Sequence, residues 1–269
     1  MAKIKLIDGN NQFFIKYAKA TSYSDLVRRC QELNWGFDQV YWVFDGYDSR
    51  KPRRDIYPEY KNTSSRAKNK LDTTKYDMLN DFKKVDLPNL GGVVIIEMPQ
   101  IEADDVIRKL AMTLADGKNQ IEIASNDVDL LNLSDLPLVT QPQAKLPANV
   151  GSGKELDLYK TLVGDSSDNI KGLAGFGDAA WAKLTQEQRT SIQYQLEINT
   201  ERFMKMDCFD FNVKYEAKLA EKIYQQWDTV KMFSRVVNYI EIKDDDLLKF
   251  IKVFPPKAPV KSGKLLTMD

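Results

Sequence analysis

Residues that could do chemistry together meet in the stretch from residue 164 to residue 177. Asp165 and Asp168 lie three residues apart, so one turn of helix would place both carboxylates on the same side, where they could meet a cation. Three glycines follow: Gly172, Gly175 and Gly177. Glycines allow positive φ, and a glycine turn that leads into a helix leaves amides free to hold a phosphate. The stretch predicts a metal site joined directly to a clamp for a phosphate backbone.

Further carboxylates follow four short apolar runs, where predicted β-strands end. The runs cover residues 4–7, 40–44, 93–96 and 121–124. The acids that follow them are Asp8, Asp45, Glu102, Asp104, Asp105, Asp127 and Asp129. The carboxyl ends of parallel strands share one edge of a sheet, so these acids should converge in space. Each acid alone is equally explained as turn chemistry or as an acid at a helix N-terminus, but the whole set is hard to explain in that way.

The chain contains no histidine, which excludes Ser-His and Cys-His catalysis and the usual ligands of zinc and non-haem iron. Any metal must be held by oxygen, which suits Mg²⁺ or Mn²⁺. The 39 basic and 39 acidic residues give no net charge. If nine acids are set against cations, 30 remain against the 39 basic residues, and the rest of the chain carries +9.

The order of β-rich and helical stretches predicts the fold class. Their alternation in the first half predicts an α/β fold with a mostly parallel sheet and helices on both faces. We expect this domain over residues 1–162, a helical region over 163–253 and a loose basic tail over 254–269. The four tryptophans are expected in the core: Trp35, Trp42, Trp181 and Trp227.

Two features bear on the compartment in which the protein acts. Cys30 and Cys208 lie far apart and show neither metal nor redox spacing, so reduced thiols in the cytoplasm are expected. The N-terminal apolar run is too short for a secretory signal, and no apolar run approaches the roughly 18 residues of a membrane span. We therefore expect a soluble cytoplasmic protein with no membrane partner.

The segment from residue 50 to residue 70 is strongly basic. Its charged residues are Arg50, Lys51, Arg53, Arg54, Lys61, Arg66, Lys68 and Lys70 against Asp55 and Glu59, which leaves +6. Tyr57 and Tyr60 could stack on bases, and the polar run 62–65 has little reason to fold alone. A solvated loop is the alternative. The origin of the segment beside Asp45 favours a substrate-facing element that is partly helical when bound.

Six sequence blocks, taken in order, resemble motifs of the flap endonuclease and 5′-nuclease family. They cover residues 7–10, 44–45, 53–61, 102–105, 125–129 and 164–169 with the glycine hairpin that follows. One such block would be a weak signal, but six in the family order are specific. The resemblance covers residues 1 to about 180, and the bacteriophage branch of RNase H-like 5′-exonucleases is the most similar.

The resemblance implies two metal ions. Asp8, Asp45, Glu102 and Asp104 would hold one Mg²⁺, and Asp104, Asp127, Asp129 and Asp168 a second, with Asp105 and Asp165 close behind. Mn²⁺ fits the same oxygen ligands.

The resemblance also implies DNA contacts. Residues 46–86 would form a helical arch for a 5′ strand, with Lys61 at the scissile phosphate and Arg66 as the arch arginine, for which Arg54 is a competing candidate. Arg53 and Tyr60 belong to the same contact set. The hairpin glycines would grip duplex backbone and, as in relatives, take K⁺.

Two positions of the hairpin depart from the family pattern. Asp178 stands where relatives often carry a lysine, which weakens the expected phosphate contact, and Lys171 stands where proline is common.

The expected function is a structure-specific 5′-nuclease that acts on branched or 5′-ended DNA, with RNA–DNA hybrids and primer removal within its range. The resemblance favours a monomer whose tail contacts a replication protein, in the host cytoplasm if a phage encodes it. A non-catalytic DNA-binding protein of the same fold is one alternative, against which the intact set of acids argues. A two-metal phosphatase is another, but it leaves the basic segment and the hairpin without a role.

Overall fold

The computed structural model describes residues 1–63, 73–204 and 208–256, and six strands among them form one sheet. The strands are β1 (Lys3–Asp8), β2 (Gln39–Phe44), β3 (Val93–Glu97), β4 (Gln120–Ala124), β5 (Val139–Thr140) and β6 (Ile251–Phe254). Their order across the sheet is β5-β4-β1-β2-β3-β6. β1 to β5 run parallel, whereas β6 is antiparallel to β3. The predicted α/β fold with a mostly parallel sheet is confirmed.

The central strands are apolar because both faces of the sheet are covered. Leu6, Ile7, Trp42 and Val43 are fully buried, as is typical of parallel strands inside an α/β protein. In the register of the sheet, Asp8 lies beside Val43 of β2, and the residue before Asp8 lies beside Ala124 of β4. The carboxyl ends of these strands are therefore level, which brings the acids that follow them to one edge.

Helices cover both faces of the sheet and make up most of the second half. They are α1 (Gly9–Tyr17), α2 (Tyr23–Gln31), α3 (Lys51–Ile56), α4 (Thr74–Asp81), α5 (Leu87–Leu90), α6 (Ala103–Leu114), α7 (Gly153–Val163), α8 (Asp178–Trp181), α9 (Gln186–Glu197), α10 (Lys214–Gln225), α11 (Trp227–Val237) and α12 (Asp244–Leu248). A π-helical turn over Phe82–Asp86 joins α4 to α5, and 3₁₀ turns cover Glu32–Asn34 and Val128–Asp135. Among the described residues, none of these helices has the length and apolar character needed to cross a membrane.

Four apolar clusters of buried residues hold the described elements together: three large cores, and a small one formed by Tyr60, Ile170, Phe233 and Val236. One face of the sheet packs on α6 through residues such as Ile107, and the other face packs on α1, α2 and α4 through Phe13. The third core joins α7 to α8, α9, α10 and α11 around Leu162, Trp181 and Trp227. This third core fixes the C-terminal end of α7, from which the chain turns back toward the acids.

Three features differ from the sequence expectations. Residues 251–254 form β6 rather than the end of a helical region, because they pair with the free edge of β3, a long-range contact that local sequence does not encode. Trp35 is 69% exposed, since it lies on the loop that leads into β2. Asp165 and Asp168 lie on a tight turn closed by paired hydrogen bonds between Asp165 and Ile170, rather than on a helix.

Candidate metal centre

Asp8 lies where β1 passes into α1, and hydrogen bonds from two loops hold its carboxylate. Its Oδ1 accepts the N–H of Asn11 at 3.0 Å as the N-cap of α1, and its Oδ2 accepts the hydroxyl of Ser125 at 2.9 Å. The same hydroxyl oxygen accepts the N–H of Asp127 at 3.0 Å, which links the ends of β1 and β4. Burial, followed by the nearby carboxylates of Asp45 and Asp127, raises the pKa of Asp8 to about 7.

Asp45 and Asp104 complete this side of the edge. Asp45 accepts the N–H of Ala103 at 2.9 Å, which ties the end of β2 to the first turn of α6. Burial, followed by Asp127 and Asp8, raises the pKa of Asp104 well above its ordinary value, and burial followed by Glu102 raises the pKa of Asp45.

Four of the acids at this edge have no ion pair with a basic side chain among the described residues. We call them the lysine-free group: Asp8, Asp45, Asp104 and Asp127.

Glu102, in contrast, is surrounded by positive and hydroxyl groups. Lys61 donates to Oε1 at 2.8 Å, while the hydroxyl of Tyr60 at 2.9 Å and the guanidinium of Arg53 at 3.0 Å donate to Oε2. Burial alone would raise the pKa of Glu102, but the charges of Lys61 and Arg53 outweigh it and lower the pKa. Glu102 therefore remains ionised although it is only 4% exposed.

Asp105 and Arg53 form a buried bidentate pair, with two N–H···O contacts of 2.8 Å. Asp105 also accepts the N–H of Ile240, and Arg53 donates to the carbonyl oxygens of Val236 and Asn238. Both oxygens of Asp105 are thus engaged, so the pair joins α3 to the segment after α11 and holds Glu102 from behind. The resemblance places Asp105 close behind the metal ligands, and here Arg53 and Ile240 occupy both of its oxygens. Arg53, which was predicted to contact DNA, is only 5% exposed and is engaged by Asp105 and Glu102.

The remaining acids converge around a second lysine. One carboxylate oxygen from each of Asp129, Asp165 and Asp168 lies within 4.8 Å of the others. Lys160, from the last turn of α7, contacts Asp129 and lies 2.6 Å from Asp165, while Lys61 lies 3.7 Å from Asp168. Each of these acids contacts Lys61 or Lys160, as does Glu102. We call the four the lysine-bound group: Glu102, Asp129, Asp165 and Asp168.

Protonation differs within the lysine-bound group. Burial alone would raise the pKa of Asp165, but Lys160 and hydrogen bonds from Ser167 outweigh it and lower the pKa. For Asp168, burial exceeds the effect of Lys61, and the pKa is raised. Asp127, Asp129, Lys160, Asp165 and Asp168 line a cleft of about 500 Å³ that is open to solvent.

The turn that carries Asp165 and Asp168 depends on one glycine. Gly164 has φ 103°, and a Cβ there would lie 2.7 Å from the carbonyl oxygen of Ile170. The chain can therefore reverse directly after α7, with Asp165 pairing back to Ile170. This reversal places Asp165 over Lys160.

The glycine hairpin is partly engaged by α10 and by Gln226, which links α10 to α11. The peptide N–H of Ala174 donates to the side chain of Gln226 at 2.8 Å, and Lys222 donates to the carbonyl of Gly175. Gly172 is buried against the end of α7, so it does not meet the predicted role of a DNA contact, whereas Gly175 and Gly177 are exposed.

Asp178, one of the two hairpin residues that depart from the family pattern, accepts hydrogen bonds from two neighbours. It accepts the hydroxyl of Tyr159 at 2.6 Å and the amide of Asn149 at 3.1 Å. These hydrogen bonds fix its carboxylate at the start of α8.

The basic segment begins with α3 and continues to Lys61, whose backbone has φ 53°. The N–H of Lys61 donates to the carbonyl of Asp168 at 2.8 Å, which fixes this residue beside the acids. Tyr60 is only 3% exposed, which does not agree with its predicted contact with DNA, whereas Arg54 is half-buried and donates to the carbonyl of Tyr60. Arg66, Lys68 and Lys70 lie outside the described residues.

Several residues of the site were not singled out by sequence. Asn10 accepts the N–H of Asp45, and Asn11 accepts that of Asn126, so these asparagines link three strand ends. The hydroxyl of Tyr239 donates to the carbonyl of Asp129 at 2.8 Å. Lys160, five residues before Asp165, could have been noticed as a base in the last turn of a helix that precedes an acidic turn.

The sequence matches a known family over half of its length. Residues 3–146 match the model described as 5′-3′ exonuclease, N-terminal resolvase-like domain. The 5′-3′ exonuclease of Aquifex aeolicus is 28% identical over 214 residues, which cover 76% of this chain and 68% of that relative. The 5′-3′ exonuclease of Mycoplasma pneumoniae is 26% identical over 288 residues, 94% of this chain and 91% of the relative. Longer relatives are matched in part: the chain spans 18% of the thermostable DNA polymerase I of Thermus thermophilus, at 31% identity.

The fold is similar to that of the 5′-exonuclease of bacteriophage T5. A structure of that enzyme with bound zinc has a TM-score of 0.65 at 17% identity and covers 92% of this chain and 96% of the T5 chain. A T5 flap endonuclease structure with DNA and metal ions has a TM-score of 0.59 at 16% identity and covers 87% and 88%. At these identities the likeness establishes the fold alone.

Proposed function

Because this chain belongs to the 5′-3′ exonuclease family and is a nuclease, we propose that it hydrolyses phosphodiester bonds near the 5′ ends or flaps of DNA with two divalent cations at the acidic edge. The observation that carries this proposal is the convergence of acids from four strand ends with those of the 165–170 turn. A turn or a helix N-terminus needs only one acid. Repulsion among this number of carboxylates at one edge destabilises the fold unless cations offset it.

The donor set fits hard divalent cations. The oxygens of Asp129, Asp165 and Asp168 are close enough to share one ion, and the lysine-free group offers a second set of carboxylates. Asp8, Asp45, Glu102 and Asp104 would hold one cation, and Asp104, Asp127, Asp129 and Asp168 the other. Bound there, the cations would supply an activated water and charge stabilisation for the departing oxygen.

The residues of the chain itself would bind and orient the substrate. Lys61 and Lys160 place two ammonium groups at the edge, where a phosphate would be attracted. Lys61 is held by its backbone beside Asp168, so its charge is positioned before substrate arrives. The exposed part of the hairpin, at Gly175 and Gly177, would contact duplex backbone. Such contacts position DNA without reading its sequence.

Finer features extend this proposal. We propose Mg²⁺ or Mn²⁺ as the cations, because the available ligands are oxygens. K⁺ at the hairpin, RNA–DNA hybrids as further substrates, a monomeric state, a cytoplasmic site of action and a replication protein as partner of the tail belong to the same proposal. Placement in the bacteriophage branch also belongs to this proposal, and it rests on the six sequence blocks.

Removal of single acids tests the proposal. We expect Asp168→Asn and Asp127→Asn to lower the rate of cleavage of a 5′-flap oligonucleotide roughly a thousandfold, because each removes a negative charge from a cation site. DNA binding, measured by fluorescence anisotropy, should remain nearly unchanged. Asp244→Asn is the control, since Asp244 is an exposed acid on α12 far along the chain from the edge, and its side chain is 76% exposed.

Retention of cleavage in both variants, or cleavage by the unsubstituted protein in excess EDTA, would show that the acids do not act through cations. Binding of the flap without any cleavage in Mg²⁺ would favour the non-catalytic alternative. Faster turnover of p-nitrophenyl phosphate than of DNA would favour the phosphatase.

A further inference from the structure

Lys160 enters the acidic edge from the last turn of α7, and its ammonium lies between two acids. Its Nζ is 2.6 Å from Oδ2 of Asp165 and also contacts Oδ1 of Asp129. Only 12% of the side chain is exposed. Asp129 and Asp165 are two of the three acids whose oxygens converge within 4.8 Å. The charge of Lys160 therefore stands where the carboxylates offer a cation site.

The two lysines of the edge are held in different ways. Lys61 is fixed by its own N–H on the carbonyl of Asp168, and its ammonium also lies 5.1 Å from the ring centre of Tyr60. Lys160, unlike Lys61, lines the open cleft of about 500 Å³, and its ammonium ends a flexible four-carbon stem. Such a stem has several staggered rotamers, so the ammonium can leave the acids by bond rotation without movement of α7.

We propose that Lys160 is a resident counter-ion, which neutralises Asp129 and Asp165 in the metal-free protein and leaves when a divalent cation takes their oxygens. This inference rests on the proposed function, because it concerns the same acids. Carboxylates at this spacing repel one another without a positive charge, and an ammonium and a divalent cation repel one another if both are present. A divalent cation that binds Asp129 and Asp165 therefore displaces the ammonium of Lys160. The loss of the lysine contacts weakens the affinity of these acids for the metal.

Manganese binding to the full-length protein, stripped with EDTA and dialysed, tests the exchange. Lys160→Met keeps the length of the stem and removes the ammonium. We expect this variant to bind the Mn²⁺ that depends on Asp129 about tenfold more tightly in calorimetry, which corresponds to about 1.4 kcal/mol. The metal-free variant should also unfold at a lower temperature than the unsubstituted protein, and saturating Mn²⁺ should remove this difference.

Lys154→Met is the matched control, because Lys154 lies on the same helix and is exposed, and its backbone N–H, not its ammonium, donates to Asp135. Its Mn²⁺ affinity should equal that of the unsubstituted protein. Equal or weaker binding by Lys160→Met would overturn the inference. If the methionine variant does not fold, Lys160→Gln is measured in its place. It should also bind Mn²⁺ more tightly than the unsubstituted protein, and equal or weaker binding would overturn the inference.

The Asp129→Asn variant separates this inference from the proposed function. The proposed function requires the unsubstituted protein to bind Mn²⁺ and Asp129→Asn to bind one ion fewer. If neither holds, both proposals fail. If both hold and Lys160→Met shows no gain in affinity, only the inference about Lys160 is wrong.

Discussion

The lysine-free and lysine-bound groups share one edge of the sheet, but their charges are compensated in different ways. In the lysine-free group, burial and neighbouring carboxylates raise the pKa of Asp8 to about 7 and also raise the pKa values of Asp45 and Asp104. In the lysine-bound group, Lys61 and Lys160 supply positive charge to the carboxylates. In the absence of metal, raised pKa values therefore favour protonation of Asp8, Asp45 and Asp104, whereas ammonium groups compensate the second group.

This difference shows that burial alone does not decide the charge of an acid at this edge. Glu102 is as deeply buried as Asp8, yet its pKa is lowered where that of Asp8 is raised, because only Glu102 has cationic partners. Asp168 is intermediate: its contact with Lys61 is longer, at 3.7 Å, and burial still raises its pKa. Distance to an ammonium thus separates the two groups.

The largest expected effect is on the free energy of unfolding, which neutral substitutions in the two groups should change in opposite directions. Glu102→Gln should lower the free energy of unfolding by about 3–5 kcal/mol, because its amide would face the hydroxyl of Tyr60 and remove the buried anion that Lys61 and Arg53 share. Among the described residues, Lys61 would then keep only the longer ionic contact with Asp168, and Arg53 only that with Asp105. Asp104→Asn should raise the same quantity by about 1–2 kcal/mol, since it removes a buried charge with no ion-pair partner among the described residues.

Urea unfolding at pH 8 in EDTA measures both effects. The two groups would not be distinct if both variants shifted the midpoint in the same direction. Asp244→Asn again serves as the control for the loss of an exposed carboxylate.

A smaller effect is expected from pH. The folded pKa values of Asp8, Asp45 and Asp104 lie above those of the unfolded chain, so their protonated forms stabilise the fold, and this contribution is lost as pH rises through the folded values. Between pH 5 and pH 8 the metal-free protein should lose on the order of 2–4 kcal/mol. Glu102 and Asp165, whose pKa values are lowered, lose their contribution only below the ordinary carboxyl range.

Because the chain contains no histidine, no imidazole titrates between pH 5 and pH 8 and adds to the change in stability that is measured there. Unfolding in EDTA at several pH values measures the slope, and Asp8→Asn should reduce it. A metal-free protein that becomes more stable from pH 5 to pH 8 would contradict the raised pKa values of Asp8, Asp45 and Asp104.

The smallest expected effect concerns Tyr239, which supports the lysine-bound group from behind. Tyr239→Phe removes the hydrogen bond to the carbonyl of Asp129 and should cost about 1 kcal/mol of unfolding free energy. Cleavage should fall less than it does on loss of a carboxylate, since the side chain of Asp129 remains. Tyr194→Phe, at a tyrosine that is 52% exposed, should change neither quantity; equal effects of the two substitutions would deny Tyr239 a supporting role.

Much of the fold and most of the acids could be predicted from sequence. The four apolar runs correspond to β1, β2, β3 and β4, and the acids after them meet at one edge because parallel strands end there. The pairing of Asp105 with Arg53 could not be predicted, because adjacent residues at a helix start point in directions about 100° apart. Asp104 therefore faces the acids, whereas Asp105 faces Arg53 and Ile240. No local pattern in the sequence indicates that the end of α11 and the segment after it will pack against Arg53 and Asp105.

By itself, the sequence determined that the metal ligands are oxygens, since it offers no histidine, and that carboxylates follow each central strand, since strand ends are local features. Only the tertiary structure decided how these charges are compensated. Lys61 and Lys160 reach Glu102 and Asp165 because α7 and the chain after α3 pack against the sheet edge. Ion pairs act over a few ångströms of space, and such distances are set by packing between segments that are far apart in the chain.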